Sequence, residues 1–226
     1  MRPLLRGRDI DPYHIRFADQ WLIDTYNGKL VDVINPTTKQ IRKVRVGRID
    51  VVKDYPAIYQ HLSSFGDEIR NRQDQGEHWT NLRNCAYAEE FASPKIIYPN
   101  MTSVLPFVYD KGAFYTNQKC FIITGERLGY LTAFFNSKLF RYCFKSNFPE
   151  LPGVTRELSK VFFDQIPVKP VSDEQEAVFM SRVEWVQTAK QKGVDTTHIE
   201  EEIELLLADL YGLEAPERDA VTASTD

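Results

Sequence analysis

From Trp21 to Val52 apolar and polar residues tend to alternate with a period near two, and from Tyr55 the period lengthens to about 3.6. Residues 21–23 and 30–34 predict short strands, with Asn27-Gly28 between them as a hairpin turn signal. Over 40–52, Ile41, Val44, Val46, Ile49 and Val51 are interleaved with Arg42, Lys43, Arg45 and Arg48, which predicts a basic-faced strand or loop. Ile58, Leu62, Phe65 and Ile69 share one stripe behind Pro56 and predict a helix over 55–72; the polar run that follows, broken by Gly76, predicts a loop. Strands are expected near 95–98, 104–109, 113–116 and 119–124, with Pro94, Pro99 and Pro106 at ends or edges. Leu128, Leu131, Phe135, Leu139 and Tyr142 mark a helix over 127–144.

Residues 146–157 read as a loop by composition, and 162–168 as a short strand or extended segment. Phe179, Val183 and Val186 space one tail helix; Ile199, Ile203, Leu206, Leu207 and Leu210 space another, with Thr197 and Glu200 as its capping box and Gly212 as its stop. Residues after Glu217 are expected to fray. The resulting architecture is α+β: a twisted mixed or antiparallel sheet with packed helices, followed by a C-terminal helical hairpin. The expected domains are 1–172 and 173–226.

Charge changes this picture only when the chain is split. The net charge of the 226 residues is −4, but 173–226 carry 4 Lys+Arg against 14 Asp+Glu, a net of −10, which leaves +6 on 1–172. A basic body suits a polyanionic partner, and on charge alone the acidic tail is expected to pack on a domain outside this chain. Cys85, Cys120 and Cys143 stand apart, without zinc-ligand spacing, and read as reduced, buried thiols of a cytoplasmic protein. No apolar run approaches the ~20 residues of a membrane helix. His14, His61, His78 and His198 are scattered, and Glu200-Glu201-Glu202 reads as the solvated face of a helix. The chain has neither a glycine-rich cofactor turn nor an Asn/Asp-Pro-Pro-aromatic loop: Asp11-Pro12-Tyr13 is one proline short, and Asn35-Pro36-Thr37 lacks the aromatic residue. Catalysis within this chain is therefore not expected, and no metal or cofactor is assigned to it.

Five segments in order carry a resemblance: Arg2-Pro3-Leu4-Leu5-Arg6-Gly7-Arg8-Asp9-Ile10; Tyr55 to Leu62, with Trp79 and Leu82 downstream; Pro94-Lys95-Ile96-Ile97-Tyr98; Tyr130-Leu131 through Asn136-Ser137-Lys138; and Ile166-Pro167-Val168. Together they resemble the TaqI-like C-terminal specificity, or target recognition, domain of type IIG restriction-modification enzymes and adenine-specific DNA methyltransferases. The resemblance implies recognition of double-stranded DNA by a module whose catalytic domain lies outside this chain. S-adenosylmethionine and Mg²⁺ are then expected only for that methyltransferase domain or subunit and any accompanying nuclease.

Sequence readout needs Arg, Lys, Asn or Gln at base edges and cations or hydroxyls at phosphates. Candidates fall into four groups: Arg6 and Arg8, with Tyr13, in the entry segment; Arg42, Lys43, Arg45 and Arg48 in the densest basic run; Lys138, Arg141 and Lys145 on one helix face; and Asn147, Thr155 and Arg156, with Ser146, in the loop rich in proline and glycine. Ion pairs with Asp9 or Asp11 compete for Arg6 and Arg8, and a solvated strand face for the 42–48 run. A protein-interaction module docking through the acidic helical tail is the alternative reading, and a nuclease with an unrecognised site a third.

Overall fold

The computed structural model describes residues 1–147, 150–151, 155–158 and 160–223, the side chains of 145–147, 150–151, 155–156, 160 and 162 excepted. In chain order its elements are β1 (Arg2–Leu5), β2 (Ile10–Asp11), β3 (His14–Ile15), β4 (Trp21–Leu22), β5 (Lys29–Ile34), β6 (Ile41–Val46), α1 (Val51–Asp54), α2 (Pro56–Ser63) and α3 (Gly66–Arg70). Then follow β7 (Lys95–Pro99), β8 (Met101–Thr102), β9 (Val108–Asp110), β10 (Tyr115–Thr116), β11 (Cys120–Ile123), α4 (Leu128–Asn136) and α5 (Lys138–Asn147). The chain closes with β12 (Glu150–Leu151), β13 (Thr155–Glu157), α6 (Lys160–Phe163), α7 (Asp173–Gln191), α8 (Thr197–Tyr211) and α9 (Ala215–Ala223). The expected α+β class holds. The compact units, however, are 1–2 with 22–88, and 3–21 with 89–226, rather than a body up to 172 and a separate tail.

The larger unit is built on β7, whose five residues are all buried. It is the middle strand of the antiparallel order β11-β7-β9, with Tyr98 opposite Phe121 and Ile96 opposite Tyr109. Side chains alternate across a strand. Ile96 and Tyr98 therefore join one core with Phe107, Phe134, Phe135 and Phe140, while Ile97 joins a second with Leu5, Ile10, Val108 and Cys120. A buried Lys95–Asp110 ion pair links the facing ends of β7 and β9. Lys95 Nζ also donates to Phe91 O (2.7 Å), and Asp110 accepts from Ala113 N and Phe114 N (3.2 and 3.1 Å), so both charges are satisfied.

The helix expected over 127–144 is two helices, because Ser137 is extended (ψ 159°) between α4 and α5. The break is held by the Asn-Ser-Lys segment itself. Asn136 Nδ2 donates to Phe107 O (2.9 Å) and Thr132 O (2.9 Å), and its Oδ1 accepts from Phe107 N (3.1 Å). Ser137 Oγ accepts from Phe140 N (3.1 Å), an N-cap for α5, and Lys138 N donates to Glu204 Oε1 (2.8 Å). The motif's visible work is structural.

The tail belongs to the same core. Phe179, Val183, Val186, Ile203 and Leu207 pack in the cluster of Tyr130 and Phe134. Glu176 of α7 caps α4, accepting from Gly129 N and Tyr130 N at 2.8 Å each. A Cβ on Gly129 would lie 2.6 Å from Met180 Cα, so only glycine permits this approach of α4 to α7. The apolar faces of the tail, which on charge alone was expected to pack on a domain outside this chain, are thus buried within the larger unit. The N-cap of α8 is Thr196 rather than Thr197, Gly212 ends α8 in the left-handed conformation, and of the stretch after Glu217 expected to fray, 218–223 are helical while 224–226 lie outside the described residues. Residues 150–151 and 155–157 are strands in a small sheet of order β12-β13-β8, where a loop was expected; of 162–168, expected to be a strand or extended, 162–163 instead end helix α6.

The smaller unit has few buried apolar side chains, Val51 and Leu62 among them, and a polar interior. Thr25 Oγ1 donates to Thr80 O (2.7 Å), Asn81 Nδ2 to Ile49 O (2.9 Å), and Glu77 N to Asn27 Oδ1 (2.9 Å). The expected 55–72 helix is broken into α2 and α3, with Gly66 at φ +65° starting the second. Asn27-Gly28 is not the hairpin turn, since β5 pairs with β6 and not with β4. Gly28 (φ +74°) lets the backbone at the hairpin's root come together: a Cβ there would lie 2.4 Å from Val46 O.

Replacing Asn136 removes three buried hydrogen bonds and orphans the N–H of Phe107. Asn136→Ala is expected to lower unfolding free energy by about 2–4 kcal/mol in urea titrations, more than Gln187→Ala, whose partially exposed partners can turn to water.

Candidate nucleic-acid interface

The basic run divides by position along the β5–β6 hairpin. At the root, Arg45 pairs with Glu77 and donates to Asn27 O and Asn84 Oδ1 (both 3.1 Å), while Arg48 donates to Asn81 Oδ1 (3.1 Å). These two guanidinium groups fix the hairpin to the polar interior of its unit. Farther out, Arg42 and Lys43 are exposed and have no hydrogen-bond or ion-pair partner among the described residues. Neighbouring strand residues point to opposite faces. Lys43 accordingly shares a face with Leu30, Asp32, Ile34 and Ile41, and Arg42 the other with Val31, Val33 and Val44. The six-residue connection is tied by Asn35 Oδ1, which accepts from Thr37 N (2.9 Å) and Thr38 N (3.0 Å); Lys39 stands in it at φ +57°. Lys39 is exposed, with no side-chain partner among the described residues, and the sequence reading does not single it out. The signal was Asn35-Pro36-Thr37-Thr38, a turn composition that was weighed only against a catalytic loop.

The other candidates have different surroundings. Arg6 holds buried Asp9 through two side-chain bonds (2.9 and 2.8 Å) and its backbone N–H (2.8 Å), and these bonds keep the Asp9 carboxyl below the usual carboxylate range. Arg8 is exposed without an ion-pair partner among the described residues. Tyr13 is buried in the main core with its hydroxyl pushed well up by burial. Lys138 and Arg141 are half-buried on the side of α5 near Glu204. Burial raises the Glu204 carboxyl, and the N–H of Lys138 and the two cations only partly offset this. The acidic tail therefore supplies partners to this helix face from within the chain. The side chains of Lys145, Asn147, Thr155 and Arg156 lie outside the described residues.

Among the described residues no group of three or more His, Cys, Asp or Glu could hold a metal ion. Burial pushes the Cys120 thiol up to about 12 and raises Cys143 as well, which suppresses the nucleophilic thiolate. No described helix is long and apolar enough to cross a membrane. A family model described as the TaqI-like C-terminal specificity domain matches residues 2–168. Comparison with curated proteins gives no match.

Two carboxylates with opposite shifts give opposite pH signatures. Asp9 is depressed in the folded state, so its stabilisation is present above the unfolded value near ~3.9 and is lost as pH falls through the folded pKa. The deficit of Arg6→Gln, measured by denaturation from pH 7 to pH 2.5, is expected to shrink across that acid window. Glu204 is raised, so its contribution is present below about 4.3 and lost as pH rises through the folded pKa. Glu204→Gln, which keeps an acceptor for Lys138 N–H, is expected to gain on the wild type in the same series as pH rises.

Proposed function

The chain belongs to the family of TaqI-like C-terminal specificity domains, and from that membership we propose that it is the sequence-reading module of a type IIG-like restriction-modification DNA methyltransferase. Domains of this family serve DNA target recognition in restriction-modification enzymes. The match over residues 2–168 carries the reading. The exposed cations Arg42 and Lys43, left over after Arg45 and Arg48 are consumed, support it as groups available to DNA. On this reading the chain performs no chemistry. Methyl transfer to adenine, with its S-adenosylmethionine, belongs to a methyltransferase domain or subunit that this module directs, and Mg²⁺ to any nuclease that accompanies it. The protein works in the cytoplasm, beside the DNA it reads.

The alternative, an interaction module docking through the acidic helical tail, would have to use the tail's charged surface. An acidic helical pair with an unspent apolar face could recruit a protein, but Phe179, Val183, Val186, Ile203 and Leu207 are buried in the chain's own core.

Selection of bound duplexes from a randomised library at about 50 mM salt tests the reading, since phosphate contacts contribute strongly there. Enrichment of one short motif is expected, with affinity for the winner falling as salt rises. Equal retention of all sequences, or of none at that salt, would remove the recognition role.

A further inference from the structure

We infer that the β5–β6 hairpin is a ribbon that enters the DNA major groove, with the face bearing Asp32, Ile34, Ile41 and Lys43 toward the bases and Arg42 on the opposite face toward phosphate. This rests on the DNA-recognition reading above and assigns it an element and an orientation.

Four observations carry it. First, the hairpin is exposed on both faces although its strands are apolar: Leu30, Ile34 and Ile41 are 51%, 59% and 65% exposed. An isolated two-stranded hairpin is marginal in water, and this one is held at its root by Arg45, Arg48 and Gly28 rather than by burial. Second, residues 29–48 contain six Lys or Arg against the single Asp32, a net of +5 within a chain of net −4. That concentration of charge complements duplex DNA. Third, the shape fits. The major groove, about 12 Å wide, admits a two-stranded ribbon, and six-residue strands extend roughly 20 Å along it.

Fourth, the two faces differ chemically in a way that matches the two sides of a groove. The face of Lys43 holds the three most exposed apolar side chains of the ribbon, together with Asp32 directly opposite Lys43. Branched aliphatic groups suit thymine methyls, a carboxylate accepts from the cytosine amino group, and a lysine donates to guanine O6 and N7. Across the ribbon, Val31 and Val44 are half-buried, and Arg42, opposite Val33, is the charged side chain of β6 on that face. Lys29, opposite Val46, lies on that face nearer the root, and cations there can hold backbone phosphates but offer little to discriminate bases.

The orientation makes Arg42 and Lys43 behave differently, although they are adjacent and equally basic. With the duplex selected above, Arg42→Ala is expected to weaken all sequences alike, by about tenfold near 0.1 M salt, and to reduce the slope of log affinity against log salt by about 1. Lys43→Ala and Ile41→Ser are instead expected to flatten preference at particular base positions, by about tenfold for Lys43→Ala. For Ile41→Ser the loss should match that caused by replacing thymine with uracil in the wild-type complex. Arg42→Lys should retain the salt slope, and melting curves of all variants should overlay, since these side chains are exposed. If the wild type selects a motif and all three variants keep affinity, slope and preference within twofold, the ribbon assignment is overturned while DNA recognition stands. Exchanged phenotypes of Arg42→Ala and Lys43→Ala would overturn the orientation. A wild type that binds no duplex overturns both readings.

Discussion

The fold of the larger unit depends on how the free edge of β9 is closed. Beyond β9 no further strand among the described residues pairs in the β11-β7-β9 sheet, yet Phe107, just before it, is fully buried, and its N–H and C=O need partners away from water. Two side-chain amides stand in for the missing strand. Asn136 bonds both backbone groups of Phe107, and Gln187 does the same at Tyr109, accepting from its N–H (2.8 Å) and donating to its C=O (2.9 Å). The spacing of two residues is that of the outward-facing groups of an edge strand. Because one amide comes from the last residue of α4 and the other from α7, closing the edge fixes where α4 stops and requires α7 to lie against the sheet. The same device guards against pairing with another chain's edge.

The acidity of the tail follows from this arrangement. Once α7 and α8 are held on the core, Glu176 reaches the N-terminus of α4 and Glu204 that of α5, and each meets backbone N–H groups that the helix itself cannot satisfy. A negative group at a helix start also complements the helix dipole. Lys190 and Arg182 of α7 pair with Glu200 and Glu202 of α8, cross-linking the two tail helices. Part of the charge that looked like a docking surface in the sequence is thus paired within the chain, and the shifts of Asp9 and Glu204 mark two different uses of a carboxylate. Asp9 is held ionised by an arginine, whereas Glu204 is kept near its partner at the expense of hydration.

The legible parts of the fold were those written in local periodicity. The strands near 95–99 and 120–123, the apolar stripe of residues 128–142 and the tail helices all show in the spacing of side chains. The break at Ser137 did not show, because the stripe continues in phase across it and its cause is Phe107, far away in the chain. The choice of β6 as the partner of β5 was hidden by a stronger local signal, Asn27-Gly28, which the structure uses to join the hairpin's root rather than its tip. For the proposed interface, the basic run is visible in the sequence but its division between root and outer ribbon is not. Arg42 and Arg45 are alike in type and neighbourhood, and only the long-range partners Asn27, Glu77 and Asn84 decide that one is an anchor and the other is free.

That division bears on what a recognition element must do. A ribbon with many free cations would bind any duplex tightly and discriminate poorly, since phosphate contacts carry no base information. Here Arg45 and Arg48 are tied at the root by their hydrogen bonds, and farther out Asp32, Arg42 and Lys43 share the ribbon with the exposed apolar side chains of Leu30, Val33, Ile34 and Ile41. The polar interior of the small unit makes this positioning stiff in a way an apolar core of the same size would not. Hydrogen bonds such as Asn81 to Ile49 and Arg48 to Asn81 have one satisfied geometry, whereas two or three aliphatic side chains can repack. On the proposed reading, a modest number of outward charges on an anchored ribbon would trade general affinity for discrimination, general affinity being what a joined or docked catalytic partner would add.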